Sequence, residues 1–165
     1  MQLTPEQDGS TQQSWTPALD DNPQGTQILF NTGLLAFQAY RHYYLCAFPK
    51  IEFAPLMLLK CLERKELGFL LYPLDTNSEI RLTAEDIQEI GDRTGMDVSN
   101  IEIFLVVTAH QGQTATHFTV NKRAPVIVDV TTQNAVQVVL SNAEYAFETA
   151  LPKLSDEIAR RRRAL

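Results

Sequence analysis

The fold is decided by residues 101–130, IEIFLVVTAHQGQTATHFTVNKRAPVIVDV. Ile101–Ala109 is apolar and rich in β-branched side chains, which favours a strand. Ala115–Val120 alternates between apolar and polar residues, and the valines of residues 126–130 share one face of a further strand. His110–Gln113 separates the first two runs and predicts a hairpin loop. The stretch therefore predicts three consecutive short strands.

Similar apolar runs continue on both sides of this stretch. Ile28–Phe30, Tyr43–Phe48 and Leu67–Tyr72 precede it, and Ala135–Leu140 follows it. A parallel pair of strands needs a crossover of about a dozen residues, and no connection after Ile101 is that long. The spacing predicts a mostly β fold, an antiparallel sandwich or barrel of short strands.

One or two short helices complete the predicted fold. Thr83 can cap a helix at Ala84–Ile90 whose first turn is acidic. Residues 155–163 begin with a serine and two acids and end with four arginines, the order that a helix dipole favours. Phe53–Leu62 is ambiguous, and Pro55 could occupy the first turn of a helix there.

Length and charge narrow the possible functions. The chain has 165 residues and a net charge of −6, which fits one domain with tails. An acidic protein is a poor direct ligand for nucleic acid or anionic lipid. No apolar run is long enough to span a membrane, and the N-terminus does not resemble a secretory signal. We expect a cytoplasmic protein with no direct nucleic-acid or membrane contact.

The composition divides the chain into three parts. Residues 1–25 are polar and lack periodicity, so they predict a disordered leader. Its Trp15 either docks onto the body or a partner or is simply a loosely packed aromatic. Residues 26–150 form the β domain, and residues 151–165 form a basic helical tail with a net charge of +3. The arginines Arg160–Arg163 are either a solvated helix end or a contact for nucleic acid or an acidic partner.

Catalytic and cofactor patterns are missing from the sequence. Cys46 and Cys61 lie in apolar runs, where thiols are usually inert. The glycines are scattered and form no phosphate cradle. His110 and His117 could face each other across the hairpin, either as the best available metal site or as an exposed pair. We therefore predict no enzyme activity, no cofactor and no metal.

Paired carboxylates are the remaining option for acid–base chemistry. The pair Glu85–Asp86 belongs to a helix start, and nothing in the sequence indicates that either carboxylate is buried. Burial would be needed to shift a carboxyl pKa toward a catalytic value. The pair therefore predicts a helix terminus, with no catalytic role.

Five stretches, taken in order, resemble the flagellar assembly factor FliW family. Thr119–Val128, TVNKRAPVIV, is the most specific and is similar to that family's Thr-x-Asn-Leu-x-Ala-Pro-Ile-Val-Ile, with Lys122 in place of the leucine. The resemblance covers Thr26 to Tyr145. The other four stretches are residues 30–37 (FNTGLLAF), 69–73 (FLLYP), 103–108 (IFLVVT) and 137–145 (QVVLSNAEY).

The resemblance implies a compact, mostly β pseudo-barrel without enzymatic activity. It also implies binding to CsrA, an RNA-binding translational regulator, which relieves the repression of flagellin synthesis. Flagellin is the second implied partner. We expect the free protein to be a monomer.

Two segments are candidates for the partner-binding surface. Asp75–Glu102 holds eight acids and two bases, a net charge of −6. Such a segment would attract the basic surface of an RNA-binding protein and repel RNA phosphates. Asp75–Glu102 could equally be a solvated helix with its loops. The second segment, Asn121–Pro125, could equally be a turn whose conformation is fixed by its own residues. The candidate residues are Asp75, Glu79, Glu85, Asp86 and Glu89 in the first segment and Asn121, Lys122, Arg123 and Pro125 in the second.

A second function stays open alongside this one. A small ligand-binding or enzymatic β domain would need a pocket, and the best candidate lies near His110, His117 and Tyr145. A structure discriminates between the two functions, because the pocket requires these three side chains to converge.

Overall fold

The computed structural model describes residues 25–165, which form nine strands and two α-helices. Short 3-10 turns cover Ile51–Phe53 and Val98–Asn100. The mostly β fold with two short helices is confirmed. The elements are β1 (Gly25–Phe30), β2 (His42–Ala47), β3 (Met57–Cys61), β4 (Gly68–Pro73), α1 (Ala84–Thr94), β5 (Ile101–Gln111), β6 (Thr116–Val120), β7 (Val126–Asp129), β8 (Asn134–Gln137), β9 (Thr149–Ala150) and α2 (Pro152–Arg163).

Seven of these strands close into a barrel in the order β4-β3-β2-β1-β8-β7-β5, with β5 pairing back to β4. β5 closes the barrel because it is long enough to pair with three other strands. Phe104 pairs with Pro73 of β4 on one edge and with Val126 of β7 on the other, and Val107 pairs with Val120 of β6 on that second edge. β6 and β7 therefore follow one another along the same edge of β5.

The pairings are antiparallel except for one. β1 and β8 run parallel and pair at Leu29 with Asn134 and at Phe30 with Ala135. β6 leaves the barrel to pair with the two-residue strand β9. The predicted antiparallel arrangement thus describes every strand pair in residues 25–165 apart from β1–β8.

The apolar residues form three clusters. The barrel interior contains Phe30, Tyr43 and Phe104, and a second cluster lies outside β2–β5 beneath β6 and α2. A third cluster lies beneath α1 and contains Ile90 and Ile127. Because clusters lie on both sides of β4, β5 and β7, these strands are apolar runs with little alternation.

The ambiguous segment Phe53–Leu62 forms a strand, and the helix that Pro55 could have started is not present. The residues after Pro55 form β3, and the segment before it is the short turn Ile51–Phe53. Leu58 and Leu59 are each 1% exposed, but they bury into different clusters on opposite faces of the sheet. Burial of consecutive leucines on opposite sides is the period of a strand.

Both helices differ from their predicted bounds. α1 continues past Ile90 to Thr94 and ends where Gly95 adopts a left-handed conformation with a φ of 68°. α2 begins at Pro152, three residues before the predicted start at Ser155, so Ser155 lies within the helix and does not cap it. The Ser155 hydroxyl is buried, donates to the Leu151 carbonyl at 2.7 Å and accepts from the Phe118 N–H at 3.0 Å. It therefore joins α2 to β6.

The hairpin loop after β5 lies two residues later than predicted. β5 extends through Gln111, so His110 lies in the strand and the loop covers residues 112–115. The leader and Trp15 lie outside the described residues, and their predicted disorder stays a prediction. No helix in residues 25–165 is long and apolar enough to cross a membrane.

Candidate functional site

The start of α1 is built around Asp86. The Thr83 hydroxyl accepts from the Asp86 N–H at 3.1 Å, and the Asp86 carboxylate accepts from the Thr83 N–H at 2.8 Å. This capping box satisfies two backbone donors at once. Asp86 also accepts a hydrogen bond from the Tyr145 hydroxyl. Asp86 is only 5% exposed, so the expectation that this carboxylate is not buried is wrong.

Tyr145 joins the two predicted segments. Its hydroxyl contacts Asp86 from the acidic segment, and the Lys122 ammonium lies 4.1 Å from the centre of its ring. An ammonium at this distance is attracted to the face of the ring. Burial, and then the bond to Asp86, raise the pKa of Tyr145 above its ordinary value. The structure therefore brings Asp86 and Lys122 to one site.

Arg123 lies beside this site, over a second aromatic ring. Its guanidinium carbon is 5.4 Å from the centre of the Phe147 ring, and Phe147 is 54% exposed. The Arg123 Nε is buried and has no hydrogen-bond partner in residues 25–165. The pair thus places an exposed aromatic ring beside a cation.

Asn121 and Pro125 have structural roles at the two ends of the same segment. The Asn121 side chain accepts from the Ala124 N–H at 3.0 Å, and the Asn121 N–H donates to the Val106 carbonyl at 2.9 Å. Pro125 immediately precedes β7, and its carbonyl accepts from the Val138 N–H at 3.1 Å. The segment is the turn that carries the chain from β6 to β7 along β5.

Glu89 joins α1 to the segment after β8. Its carboxylate accepts from the Ser141 hydroxyl at 2.8 Å and the Ser141 N–H at 3.1 Å, and Arg93 approaches it at 3.0 Å. The bonds from Ser141, and then the charge of Arg93, lower the pKa of Glu89. The carboxylate is therefore committed to holding α1 in place.

Asp75 and Glu79 also bond within the chain. Asp75 accepts from the Asn77 N–H at 2.7 Å and stabilises a turn. Glu79 accepts from the N–H groups of Lys153 and Leu154 at 3.2 and 3.1 Å. Glu79 thereby caps α2 from a distant part of the sequence, and a carboxylate at a helix N-terminus also favours the dipole.

The exposed acids of α1 form a stripe, which we define as Glu85 and Asp92. The two residues are seven positions apart and lie on the same face of the helix, and Gln88 between them is also exposed. Neither acid accepts a hydrogen bond or forms an ion pair in residues 25–165. Asp92 is not among the site residues predicted from the sequence, although its spacing from Glu85 was a usable signal.

The family follows from comparison with known proteins. A family model described as FliW protein matches residues 13–151 of the chain.

The chain belongs to the FliW family.

Two relatives are each named flagellar assembly factor FliW. One, from Clostridium botulinum (strain Alaska E43 / Type E3), is 27% identical over 129 residues, covering 76% of this chain and 86% of the relative. The other, from Clostridium beijerinckii (strain ATCC 51743 / NCIMB 8052), is 24% identical over 127 residues, covering 75% and 85%.

A solved structure supports the fold. The structure titled "Crystal structure of the flagellar assembly factor FliW" matches with a TM-score of 0.55 at 20% sequence identity, covering 75% of this chain and 84% of that chain. The helix α2 begins at Pro152 and lies beyond the residues that the FliW model matches.

The predicted pocket at His110, His117 and Tyr145 is not formed. The two histidine rings stack with their centres 4.7 Å apart, and His110 Nε2 bonds to the Thr119 hydroxyl at 2.9 Å. Tyr145 instead packs against the cluster beneath α1, against which Ile103 of β5 also packs. Ile103 and His110 are about 23 Å apart along β5. Within residues 25–165, no group of three or more His, Cys, Asp or Glu side chains is placed to hold a metal ion.

Glu89→Gln tests the structural role of this carboxylate. A carboxylate with a lowered pKa stabilises the fold above its usual pKa of about 4.5, and this stabilisation is lost as the pH falls through the folded-state pKa. We expect the variant to be less stable than the wild type at pH 7 by up to about 1 kcal/mol. The difference should shrink below pH 4.5. Urea unfolding at several pH values measures this, and a difference independent of pH would contradict it.

Proposed function

We propose that this protein is a non-enzymatic flagellar assembly factor that binds a CsrA-type RNA-binding translational regulator and relieves the repression of flagellin synthesis. Flagellin is the proposed second partner. The observation that carries the proposal is the match of the FliW model to residues 13–151, together with relatives named flagellar assembly factors. The proposal places the protein in the cytoplasm, where translation occurs, and as a monomer when free.

The stripe on α1 supports an electrostatic part of the proposal. An RNA-binding regulator must present cations to its RNA, and free carboxylates on a neighbouring protein attract the same cations. Glu85 and Asp92 are exposed and have no internal partner in residues 25–165, so their charges are available to another molecule. Asp75, Glu79, Asp86 and Glu89 are held by bonds within the chain and contribute mainly by shaping the surface.

The second segment supports an apolar contact beside this stripe. Phe147 is exposed under the Arg123 guanidinium, and Tyr145, two residues earlier, bonds to the first turn of α1. Aromatic and arginine side chains are enriched among the residues that dominate binding energies. We propose that a partner covers the exposed α1 stripe and the Arg123–Phe147 pair together.

Charge reversal of the stripe tests the proposal. We expect the double variant Glu85→Lys, Asp92→Lys to bind the host's CsrA homologue several-fold more weakly at low salt, because exposed charges act mainly by attraction at a distance. The loss should shrink as salt is added. Titration calorimetry at two salt concentrations, with RNA competition, measures both effects.

The matched control makes the same change in net charge as the stripe variant, at two positions outside α1. Glu66 and Asp156 are exposed and distant from α1 in sequence, so Glu66→Lys, Asp156→Lys should leave the affinity close to that of the wild type. Equal losses in both double variants would show that only net charge matters. Unchanged affinity of the stripe variant at low salt would exclude the stripe, and no binding of the wild type to CsrA or flagellin would exclude the proposed function.

A further inference from the structure

A cleft of about 450 Å³ lies between the β5–β6 hairpin and the C-terminal half of α2. This volume is in the range of small-molecule sites in proteins. Residues 112–116 form one wall, and the other wall contains Ile158, Ala159, Arg162 and Arg163. The cleft thus lies on a part of the chain that has no role in the proposed partner surface.

Two arginines give the helix wall of the cleft a charge of +2. Arg162 follows Ile158 by four residues and Arg163 follows Ala159 by four, so their side chains extend back along α2 over the earlier residues. The Arg162 guanidinium carbon lies 5.6 Å from the centre of the Phe53 ring, a contact that uses only the flat face of the guanidinium. Neither arginine forms an ion pair or hydrogen bond within residues 25–165, so their N–H groups are available to a ligand.

The opposite wall offers a backbone donor at Thr116. The Gly112 N–H donates to the Ala115 carbonyl at 2.9 Å, which makes these two residues a hydrogen-bonded pair of the β5–β6 ladder. Hydrogen-bonded and non-hydrogen-bonded pairs alternate along an antiparallel ladder. The next pair, Gln111 with Thr116, is therefore non-hydrogen-bonded, and the backbone N–H and carbonyl of Thr116 point away from β5.

The neighbouring Phe118 shows that this edge of β6 faces α2. Its N–H donates to the Ser155 hydroxyl at 3.0 Å, and its carbonyl accepts from the Leu151 N–H at 2.9 Å. Thr116 lies two residues earlier in the strand, so its N–H points to the same side, where the cleft lies. No hydrogen bond within residues 25–165 uses this N–H or the hydroxyls of Thr114 and Thr116.

The groups around the cleft suit a doubly charged anion. Guanidinium groups bind phosphate oxygens through paired N–H donors, and backbone N–H groups and hydroxyls also donate to phosphate. A phosphomonoester carries a charge of about −1.5 to −2 at neutral pH, which matches two arginines better than one carboxylate or one phosphodiester does. A nucleic-acid chain brings many phosphates, and the net charge of −6 opposes its approach to this protein.

We propose that the cleft binds a small phosphorylated ligand, whose phosphomonoester group is held by Arg162, Arg163 and the Thr116 N–H. The hydroxyls of Thr114 and Thr116 add donors to the phosphate oxygens, and the remaining volume accommodates the organic part of the ligand. The site uses none of the residues assigned to the partner surface, so it does not depend on the proposed function.

Titration of the full chain with inorganic phosphate, followed by the amide resonances in nuclear magnetic resonance, tests the anion site. We expect saturable shifts at Thr116 and in the hairpin loop. Adenosine monophosphate should shift the same resonances, and adenosine, which lacks the phosphate, should not. Binding of phosphate without adenosine monophosphate would overturn the organic ligand, and no saturable shift of the Thr116 amide with either probe would overturn the site.

Two double variants separate the cleft from the general charge of α2. Arg162→Gln, Arg163→Gln should weaken the binding of adenosine monophosphate at least about tenfold, because charge-assisted hydrogen bonds are lost. Lys153→Gln, Arg160→Gln removes the same charge from exposed positions of α2 outside the cleft and should change the affinity less than about twofold. Equal losses in the two variants would overturn the site.

A change in the hairpin loop tests the site without altering α2. Thr114 is exposed, so Thr114→Glu leaves the core intact and places a negative charge in the cleft. We expect this variant to lose adenosine monophosphate binding while circular dichroism shows the wild-type fold. Unchanged affinity of the folded variant would contradict binding between the hairpin and α2.

Two polymeric anions distinguish the proposed ligand from a macromolecular one. An oligoglutamate peptide and a single-stranded oligonucleotide should each bind more weakly than adenosine monophosphate. Tighter binding of the peptide, lost in Arg162→Gln, Arg163→Gln, would assign the cleft to an acidic protein partner and overturn the small ligand. Tighter binding of the oligonucleotide, lost in the same variant, would assign the cleft to nucleic acid and also overturn it.

Discussion

Asp86→Ala is expected to lower the free energy of unfolding by about 2–4 kcal/mol. The substitution removes a capping box and also leaves the Tyr145 hydroxyl without its acceptor in a half-buried position. Each loss alone is about 1–2 kcal/mol, and both fall on the contact that holds α1 against the segment after β8. Urea unfolding followed by far-ultraviolet circular dichroism measures the change.

The neighbouring residue is the matched control for this prediction. Glu85 is exposed and forms no bond in residues 25–165, so Glu85→Ala should change stability by less than about 0.5 kcal/mol. Tyr145→Phe should reproduce only part of the Asp86→Ala loss, and the double variant should show coupling between the two residues. Equal effects of Asp86→Ala and Glu85→Ala would contradict the assigned role of Asp86.

Ile158→Ala is expected to lower the free energy of unfolding by about 2–4 kcal/mol, because truncating a buried isoleucine loses apolar burial and leaves a cavity. Ile158 is 1% exposed and packs in the cluster that contains Phe118 and Val120 of β6. Because Ile158 lies in α2, the expected loss would show that this helix is part of the folded core. Thermal and urea unfolding measure the change.

Arg160→Ala controls for the loss of helix propensity and charge near the end of α2. Arg160 is exposed and contacts no partner in residues 25–165, so its variant should remain within about 0.5 kcal/mol of the wild type. If Ile158→Ala also falls within that range, α2 is peripheral to the stability of the barrel. Retained stability in Ile158→Ala would thus contradict the packing of α2 as an integral layer.

The structure changes how the two candidate binding segments relate. From the sequence they were separate, one acidic and one a basic turn, and Tyr145 belonged to a different hypothesis. In the fold, Tyr145 bonds to Asp86 and lies under Lys122, so the three residues form one connected site. The sequence did not predict that these residues are neighbours, because Lys122 and Asp86 are separated by 36 positions and meet only through the packing of α1 on the barrel.

The sequence could not predict which acids are held by bonds within the chain, for the same reason. Sequence patterns identified Thr83 as a cap and the acids after it as helix-dipole residues, and the capping box confirms the cap. Local patterns could not indicate that Glu79 caps α2, because the N–H donors of Lys153 and Leu154 that bond to its carboxylate lie more than seventy residues away. A carboxylate's availability to a partner depends on which backbone donors lie near it, and those donors are placed by tertiary contacts.

The amino-acid sequence by itself determined seven of the nine strands, all except β3 and β9, together with the helix start at Thr83 and the mostly β class. These features depend on local periodicity, capping and turn residues. Only the tertiary structure decided the closure of the barrel through β5, the parallel β1–β8 pair and the assignment of Leu58 and Leu59 to opposite clusters. These features depend on which distant strands share an edge. Local patterns contain no information about that choice, because it is set by the joint burial of faces far apart in the chain.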